Sequence, residues 1–211
     1  MKNLKIKIIA ILLLLTMVGT SIFAQSNSRF GIKGGVNVSN LYTKEVDSKN
    51  TIVGANVGLF LKLALNDNIS IQPELLYSMK GAELTYSGFV TGTSKFALDY
   101  IELPVMLVVN VIPNFNIQGG VYVASLARAK ATNVSNIGVF DFEKTLSKGD
   151  FEKTDYGLAV GAGFDFNKVN LTLRYEYGMK NVGKARTFGT TTYTFPNANN
   201  SSLQLSLGIS L

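Results

Sequence analysis

The fold of this chain is decided by residues 69–81, which read ISIQPELLYSMKG. The odd positions of this stretch are mostly bulky and apolar, and the even positions are polar with the exception of Leu76. Because successive side chains of a strand point to opposite faces, the pattern predicts a strand with one apolar face and one polar face. The fold then depends on which of these two faces lies inside.

Seven further stretches alternate in the same way. They are residues 30–41, 52–65, 98–111, 115–126, 154–166, 169–180 and 202–211. The connections alternate in length, since short turns follow the second, fourth and sixth strands, whereas long polar loops follow the first, third, fifth and seventh. The four long loops cover roughly residues 42–51, 82–97, 127–153 and 181–201. Short turns at one end and long loops at the other are the connectivity of outer-membrane barrels.

The composition of the polar faces indicates that they point inward. In residues 154–166 this face carries Gly157, Ala159, Gly161 and Gly163, small residues that gain nothing on a water-exposed strand. Inside an eight-stranded barrel, small residues on some strands make room for large ones on others. The strands are also as long as tilted membrane strands need, about 9–11 residues or more. Aromatic residues lie towards the strand ends, as expected for girdles at the two membrane interfaces.

We therefore predict an all-β fold, an eight-stranded antiparallel up-and-down transmembrane β-barrel in the cell outer membrane. Its short turns would be periplasmic and its four longer loops extracellular. Closure is what lets a sheet satisfy every backbone N–H and C=O group in lipid. The alternative is a soluble periplasmic ligand-binding barrel, which would bury the aliphatic faces and expose the polar ones.

The N-terminal segment predicts export. Lys2, Lys5 and Lys7 precede an apolar run, and Ala24 supplies a small residue at a cleavage site. This order is typical of a secretory signal peptide, which we place at residues 1–24, leaving residues 25–211 as one barrel domain.

Composition argues against several classes of function. The sequence contains no cysteine and no histidine, so a disulfide framework, a thiolate metal site and the commonest general base are all missing. Without the three lysines of the signal peptide, the formal net charge of +6 falls to about +3, which is too small to argue for nucleic acid. We expect no catalytic residue, no metal and no cofactor.

Three ordered segments carry a family resemblance. Residues 30–37 read FGIKGGVN, residues 71–81 read IQPELLYSMKG, and residues 100–105 read YIELPV. Together with residues 173–175, residues 203–208 and the glycine-rich residues 154–166, they resemble the PorT-like outer-membrane β-barrel proteins of Bacteroidetes-type bacteria. The resemblance implies an eight-stranded outer-membrane barrel and little about activity. The named member of that family is associated with protein secretion.

Charged residues on the inward faces form the first candidate site. The predicted lumenal network comprises Lys33, Lys62, Glu74, Glu102, Asp155, Arg174 and Glu176, and Lys80 and Asp165 also lie on inward faces. Because buried charges are costly unless they are paired, we expect Glu74 and Glu102 to meet Arg174 or Lys62 across the lumen. The network could be an ion-paired plug in a narrow barrel, or it could line a gated pore or a proton path.

The last long loop forms the second candidate site. It carries a cationic and aromatic group of residues, Lys184, Arg186, Phe188 and Tyr193. Such a group could bind lipopolysaccharide phosphates or a protein partner, or it could be an ordinary solvated loop. The functional hypotheses are therefore a monomeric outer-membrane barrel with a structural or partner-binding role, accessory to protein secretion, and, as the alternative, a small channel or permeability protein.

Overall fold

The structure is a computed structural model that describes residues 28–42, 49–86, 92–135, 142–145, 152–183, 185–188, 191–194 and 198–211. The predicted signal peptide lies outside the described residues. Eleven strands are present in the described ranges. They are β1 (Arg29–Tyr42), β2 (Lys49–Ala64), β3 (Ile69–Tyr86), β4 (Gly92–Ile112), β5 (Phe115–Ser135), β6 (Phe142–Thr145), β7 (Thr154–Phe166), β8 (Val169–Asn181), β9 (Ala185–Phe188), β10 (Thr191–Thr194) and β11 (Asn199–Ser210).

Eight of these strands close into an antiparallel barrel, as the alternation predicts. Following the wall from β1, each strand pairs with the next through β2, β3, β4, β5, β7, β8 and β11. Pairing of β11 with β1, from Gly31 opposite Ser210 to Tyr42 opposite Asn199, completes the ring. The short β6 extends the sheet along β5, and β9 and β10 form a separate hairpin.

The short turns follow from local residue chemistry. Asn114 and Asn167 adopt positive φ angles of 66° and 54°, a conformation that asparagine tolerates better than most residues. In the turn between β2 and β3, the side-chain oxygen of Asn66 accepts hydrogen bonds from the backbone N–H groups of Asn68 and Ile69. All three turns therefore stay tight and lie at one end of the barrel.

At the opposite end the strands run further than the sequence pattern predicts. Strands β3, β4 and β5 continue to Tyr86, Gly92 and Ser135, so parts of two predicted loops are paired strand. The reason is physical: outside the lipid the outer face no longer has to be apolar, whereas backbone pairing can continue. The alternation therefore ends before the strands do.

The apolar faces lie on the outside of the wall. On β4, for example, Ile101, Leu103, Val105 and Leu107 are all exposed, while the residues between them are buried. A soluble barrel would bury these side chains, so this alternative does not fit the structure. In the part of the chain that the structure describes, no helix is long and apolar enough to cross a membrane.

Aromatic side chains mark the two ends of this apolar belt. Near the short turns, the rings of Phe115 and Phe164 are 5.0 Å apart between centroids, and Phe166 stacks on Phe164 at 6.2 Å. Towards the loop end, the hydroxyl of Tyr77 donates a 2.8 Å hydrogen bond to Asp99, which gives the ring a polar anchor. These positions are those expected for girdles at the two interfaces.

Glycines on the inner face make room for large side chains on neighbouring strands. A Cβ atom at Gly157 would lie 2.8 Å from the ring of Tyr122, and one at Gly120 would lie 2.9 Å from the sulfur of Met106. By contrast, an added Cβ at Gly119, on the outer face, would meet nothing within 4 Å. This confirms the sequence inference that small residues of the polar faces serve a crowded interior.

The orientation of the wall can be tested at Leu75, which lies midway along the lipid-facing side of β3 and is 46% exposed. We expect Leu75→Arg to lower the free energy of unfolding by about 2–4 kcal/mol, because a charge at the bilayer midplane is poorly solvated. Since the chain contains no tryptophan, the measurement is the folded fraction in lipid vesicles against urea, read from the mobility of unheated samples on a denaturing gel.

Val111 provides the matched control, since it also faces outward but lies next to the turn that follows β4. Val111→Arg should cost about 0–1 kcal/mol, because near the interface the arginine reaches water. Equal losses at the two positions would contradict the depth assigned to Leu75.

Candidate functional site

The centre of the lumen is occupied by an ion-paired cluster around Glu74. Arg174 of β8 donates two hydrogen bonds to the Glu74 carboxylate, of 2.8 and 2.7 Å, and Lys33 of β1 donates a third at 3.1 Å. Gln72 donates a fourth at 2.7 Å, and Gln118 accepts a 3.2 Å hydrogen bond from Arg174. All five residues are buried. The cluster joins strands from opposite sides of the barrel through one carboxylate.

A second cluster lies nearer the loop end. The ammonium group of Lys80, on β3, contacts the carboxylates of Glu102 and Glu176. Glu176 also accepts a 2.8 Å hydrogen bond from Gln204, and the Lys80 nitrogen is 4.8 Å from the centroid of the Tyr122 ring. One cation here serves two carboxylates, whereas two cations serve one carboxylate in the central cluster.

Uncharged polar side chains fill another part of the lumen. Asn56 donates a hydrogen bond to the side-chain oxygen of Asn37, which in turn donates to Ser78 at 3.0 Å. Ser206 of β11 donates to Asn56 at 3.1 Å. Alternation along the strands predicts that these residues face inward, but it does not specify which amides form hydrogen bonds with one another.

Asp155 lies at the loop end of the lumen beneath an apolar layer. It accepts hydrogen bonds from the hydroxyl of Tyr122 at 3.1 Å, from the amide of Asn200 at 2.8 Å and from the backbone N–H of Tyr156 at 2.8 Å. These three donors satisfy a carboxylate without a cation.

The apolar layer, which we call the outer cap, consists of Leu98, Tyr100, Tyr122, Ala124, Leu126, Ala129, Val182 and Ala198. Val182 lies just beyond β8 and Ala198 just before β11, and backbone hydrogen bonds hold both in place. The N–H of Val182 donates to the carbonyl of Ala198 at 2.8 Å, and the N–H of Glu152 donates to the carbonyl of Val182 at 2.9 Å. The outer cap therefore covers the charged lumen at the loop end.

At the turn end the lumen opens into a polar cavity of about 430 Å³. Lys62 and Asp165 lie on its wall and form a 2.8 Å ion pair, and Arg29, Asn66 and Asn110 also line it. Among the described residues, no group of three or more His, Cys, Asp and Glu side chains is placed to hold a metal ion.

The structure places the predicted lumenal charges inside the barrel but changes their pairing. Glu74 does pair with Arg174. Glu102 contacts Lys80, and Lys62 pairs with Asp165 at the turn end, so the expectation that Glu102 meets Arg174 or Lys62 is wrong. Lys80, the partner of Glu102, also lies on an inward face, but the stagger between strands decides which inward residues lie at the same level of the lumen.

The second candidate site falls largely outside the description. Lys184 is not among the described residues. Arg186, Phe188 and Tyr193 lie on the β9–β10 hairpin, where Tyr193 pairs with Arg186, and the structure describes the backbone of this hairpin alone.

Comparison with known proteins identifies the class. A family model described as the outer membrane protein beta-barrel domain matches residues 23–183. The chain therefore belongs to this outer-membrane β-barrel family, and its location is the outer membrane. The match is to the domain family as a whole and does not extend to the narrower PorT-like group. No curated protein matches the chain.

Solved structures of outer-membrane barrels are similar in fold. The Neisserial surface protein A, NspA, is 12% identical over 88% of this chain and 100% of its own, with a TM-score of 0.55. The attachment invasion locus protein Ail of Yersinia pestis is 15% identical over 87% and 99%, with a TM-score of 0.46. The N-terminal barrel domain of Pseudomonas aeruginosa OprF is 10% identical over 88% and 100%, with a TM-score of 0.37. Of these three, NspA has a TM-score above 0.5, and at 12% identity its likeness to this chain concerns the fold alone.

The central cluster predicts an order of stability among charge variants. Glu74→Gln keeps the shape of the side chain but leaves Lys33 and Arg174 without their shared anion. We expect it to lower the free energy of unfolding by about 3–5 kcal/mol, the cost of uncompensated buried charge. Arg174→Met should cost less, because Lys33 and Glu74 remain paired. Urea titrations in lipid vesicles measure both variants, and a larger loss for Arg174→Met would contradict the assigned role of Glu74.

Proposed function

We propose that this protein is a closed outer-membrane anchor, which carries out its function through its extracellular segments and not by conducting solutes. The observation that supports the proposal is the filling of the lumen. Two charged clusters, a group of hydrogen-bonded amides and the outer cap together occupy the lumen.

The central cluster and the outer cap oppose ion passage for different reasons. In the central cluster, the guanidinium of Arg174 and the carboxylate of Glu74 lie across the bore, and separating them would leave buried charges unpaired. At the outer cap, apolar side chains such as Leu98 and Leu126 offer a passing ion no hydrogen bonds. The cavity of about 430 Å³ at the turn end belongs to the entrance.

A small channel is the alternative function, and it requires a continuous water path, which the central cluster and the outer cap oppose. Single-channel recording in planar bilayers distinguishes the two. We expect no conductance steps from the wild-type barrel and none from Arg174→Ala, because the outer cap remains in place in that variant. Conductance steps in the wild type whose size changes in Arg174→Ala would overturn the proposal in favour of the channel.

A closed barrel can act only through the surfaces that it presents to lipid and to the cell exterior. Each wall strand already has two neighbours, so the sheet needs no second copy to complete it, and we propose that the protein acts as a monomer. Arg128 lies on the outer side of the wall at the loop end, is half exposed and is 2.7 Å from Asp99. A guanidinium at this level is suited to the phosphate groups of outer-leaflet lipopolysaccharide.

We extend the proposal to the β9–β10 hairpin and the residue before it. Its cations, Lys184 and Arg186, together with Phe188 and Tyr193, would contact lipopolysaccharide or a protein partner on the cell surface. The resemblance of residues 30–37, 71–81 and 100–105 to PorT-like proteins favours a partner in protein secretion. No catalytic step is part of this function.

Paired substitutions test the hairpin. We expect Lys184→Ala with Arg186→Ala to weaken retention of the purified barrel on immobilised lipopolysaccharide several-fold, and to have little effect on dephosphorylated lipopolysaccharide. Lys144→Ala with Lys148→Ala removes the same charge from the part of the sequence between β5 and β7, and should bind like the wild type. Equal losses in the two variants would indicate a general charge effect and contradict a site on the hairpin.

A further inference from the structure

The buried charges of the lumen do not balance. Among the described residues, its buried cations are Lys33, Lys80 and Arg174, and its buried anions are Glu74, Glu102, Asp155 and Glu176. Asp99 is also buried, but it contacts Tyr77 and Arg128 on the outer side of the wall and pairs with that arginine, so it does not alter the count. Lys62 and Asp165 pair with each other at the partly exposed turn end and do not alter this difference. If every group carried its usual charge, the buried lumen would hold one more negative charge than positive charges.

Two of the four acids, Glu74 and Asp155, have hydrogen-bond donors on both carboxylate oxygens, and Glu176 has donors on one oxygen. Glu74 accepts from Arg174, Lys33 and Gln72. Asp155 accepts three hydrogen bonds, none from a cation. Glu176 accepts from both Lys80 and Gln204 through one oxygen.

Glu102 is the least satisfied of the four acids. Its side chain is fully buried, its contact is the ammonium group that Lys80 shares with Glu176, and neither of its oxygens has another hydrogen-bond partner. Its neighbours across the two adjacent strands are Leu76 and Ala124, which are apolar. The second oxygen of Glu176 also lacks a donor. A carboxylate in such a position is costly, whereas a neutral carboxylic acid is tolerated.

The surrounding groups add to this cost. The charged and titratable groups around Glu102 are Lys80 on β3, Tyr122 on β5, Asp155 on β7, Arg174 and Glu176 on β8, and Tyr100 on its own strand β4. Arg174 and Lys33 are committed to Glu74, so Lys80 alone neutralises this level of the lumen. Like charges that share one cation favour protonation of the less solvated member.

We propose that Glu102 is a proton-binding site of the barrel lumen. At neutral pH its carboxyl group holds one proton, taken up from solvent, and this proton removes the excess negative charge. The ion pair that remains is Lys80 with Glu176. The site lies beneath the outer cap, so the proton is shielded from the cell exterior.

Infrared spectroscopy of the intact mature barrel in phospholipid vesicles tests this site. With glutamate labelled at its carboxyl carbon with ¹³C, we expect one carboxylic-acid C=O band at pH 7 that moves with the label and disappears reversibly at alkaline pH. Glu102→Gln should abolish the band. Glu152→Gln, which changes a partly exposed glutamate paired with Lys180, should leave it unchanged.

A second variant keeps the test decisive if Glu102→Gln does not fold. Ala124→Ser places a hydroxyl on β5 opposite Glu102 and should shift the band to lower frequency by donating to the acid carbonyl. A missing band in the wild type, a band that survives Glu102→Gln, or a band that Ala124→Ser leaves unmoved would each overturn the proposal. A missing band together with an unfolding midpoint that rises with sodium, at constant ionic strength, would identify a bound cation in place of the proton.

Discussion

The hydrogen bonds between β1 and β11 are the interaction on which the rest of the structure depends. In lipid, an unpaired strand edge would leave a row of backbone groups without partners, so the sheet must close. Closure fixes which faces are outside and which are inside. The apolar faces then meet lipid, and every polar side chain on the other faces is confined in a lumen that eight strands make narrow.

Confinement explains why the segments that carry the family resemblance contain the lumenal charges. Lys33 lies in residues 30–37, Glu74 and Lys80 in residues 71–81, and Glu102 in residues 100–105. These residues meet in the two charged clusters, together with Arg174 and Gln204 from the shorter similar segments. The segments that carry the resemblance therefore contain the residues that fill the lumen. They do not include the loop residues that a partner would contact.

The sequence predicts what depends on strand period and fails where the stagger of strands decides. Alternation alone predicts that Glu74 and Glu102 lie inside, because the face of the strand on which a side chain lies depends only on its position along that strand. It could not pair Glu102 with Lys80, because that contact depends on how far neighbouring strands are shifted. The ends of β3 to β5 were missed because alternation stops where the lipid does. The contribution of Val182 and Ala198 to the outer cap was missed because both lie outside regular strands.

The pairing of the first strand with the last also has a consequence for folding kinetics. Residues such as Gly31 and Ser210 are separated by nearly the whole chain, so the closing contacts have a very high contact order. The charged clusters draw their members from β1, β3, β4, β5, β8 and β11, and they cannot form until those strands are side by side. Insertion one strand at a time would expose unpaired charges to lipid. Assembly is therefore expected to be slow and concerted, with the sheet curling shut only once all eight strands have reached the membrane.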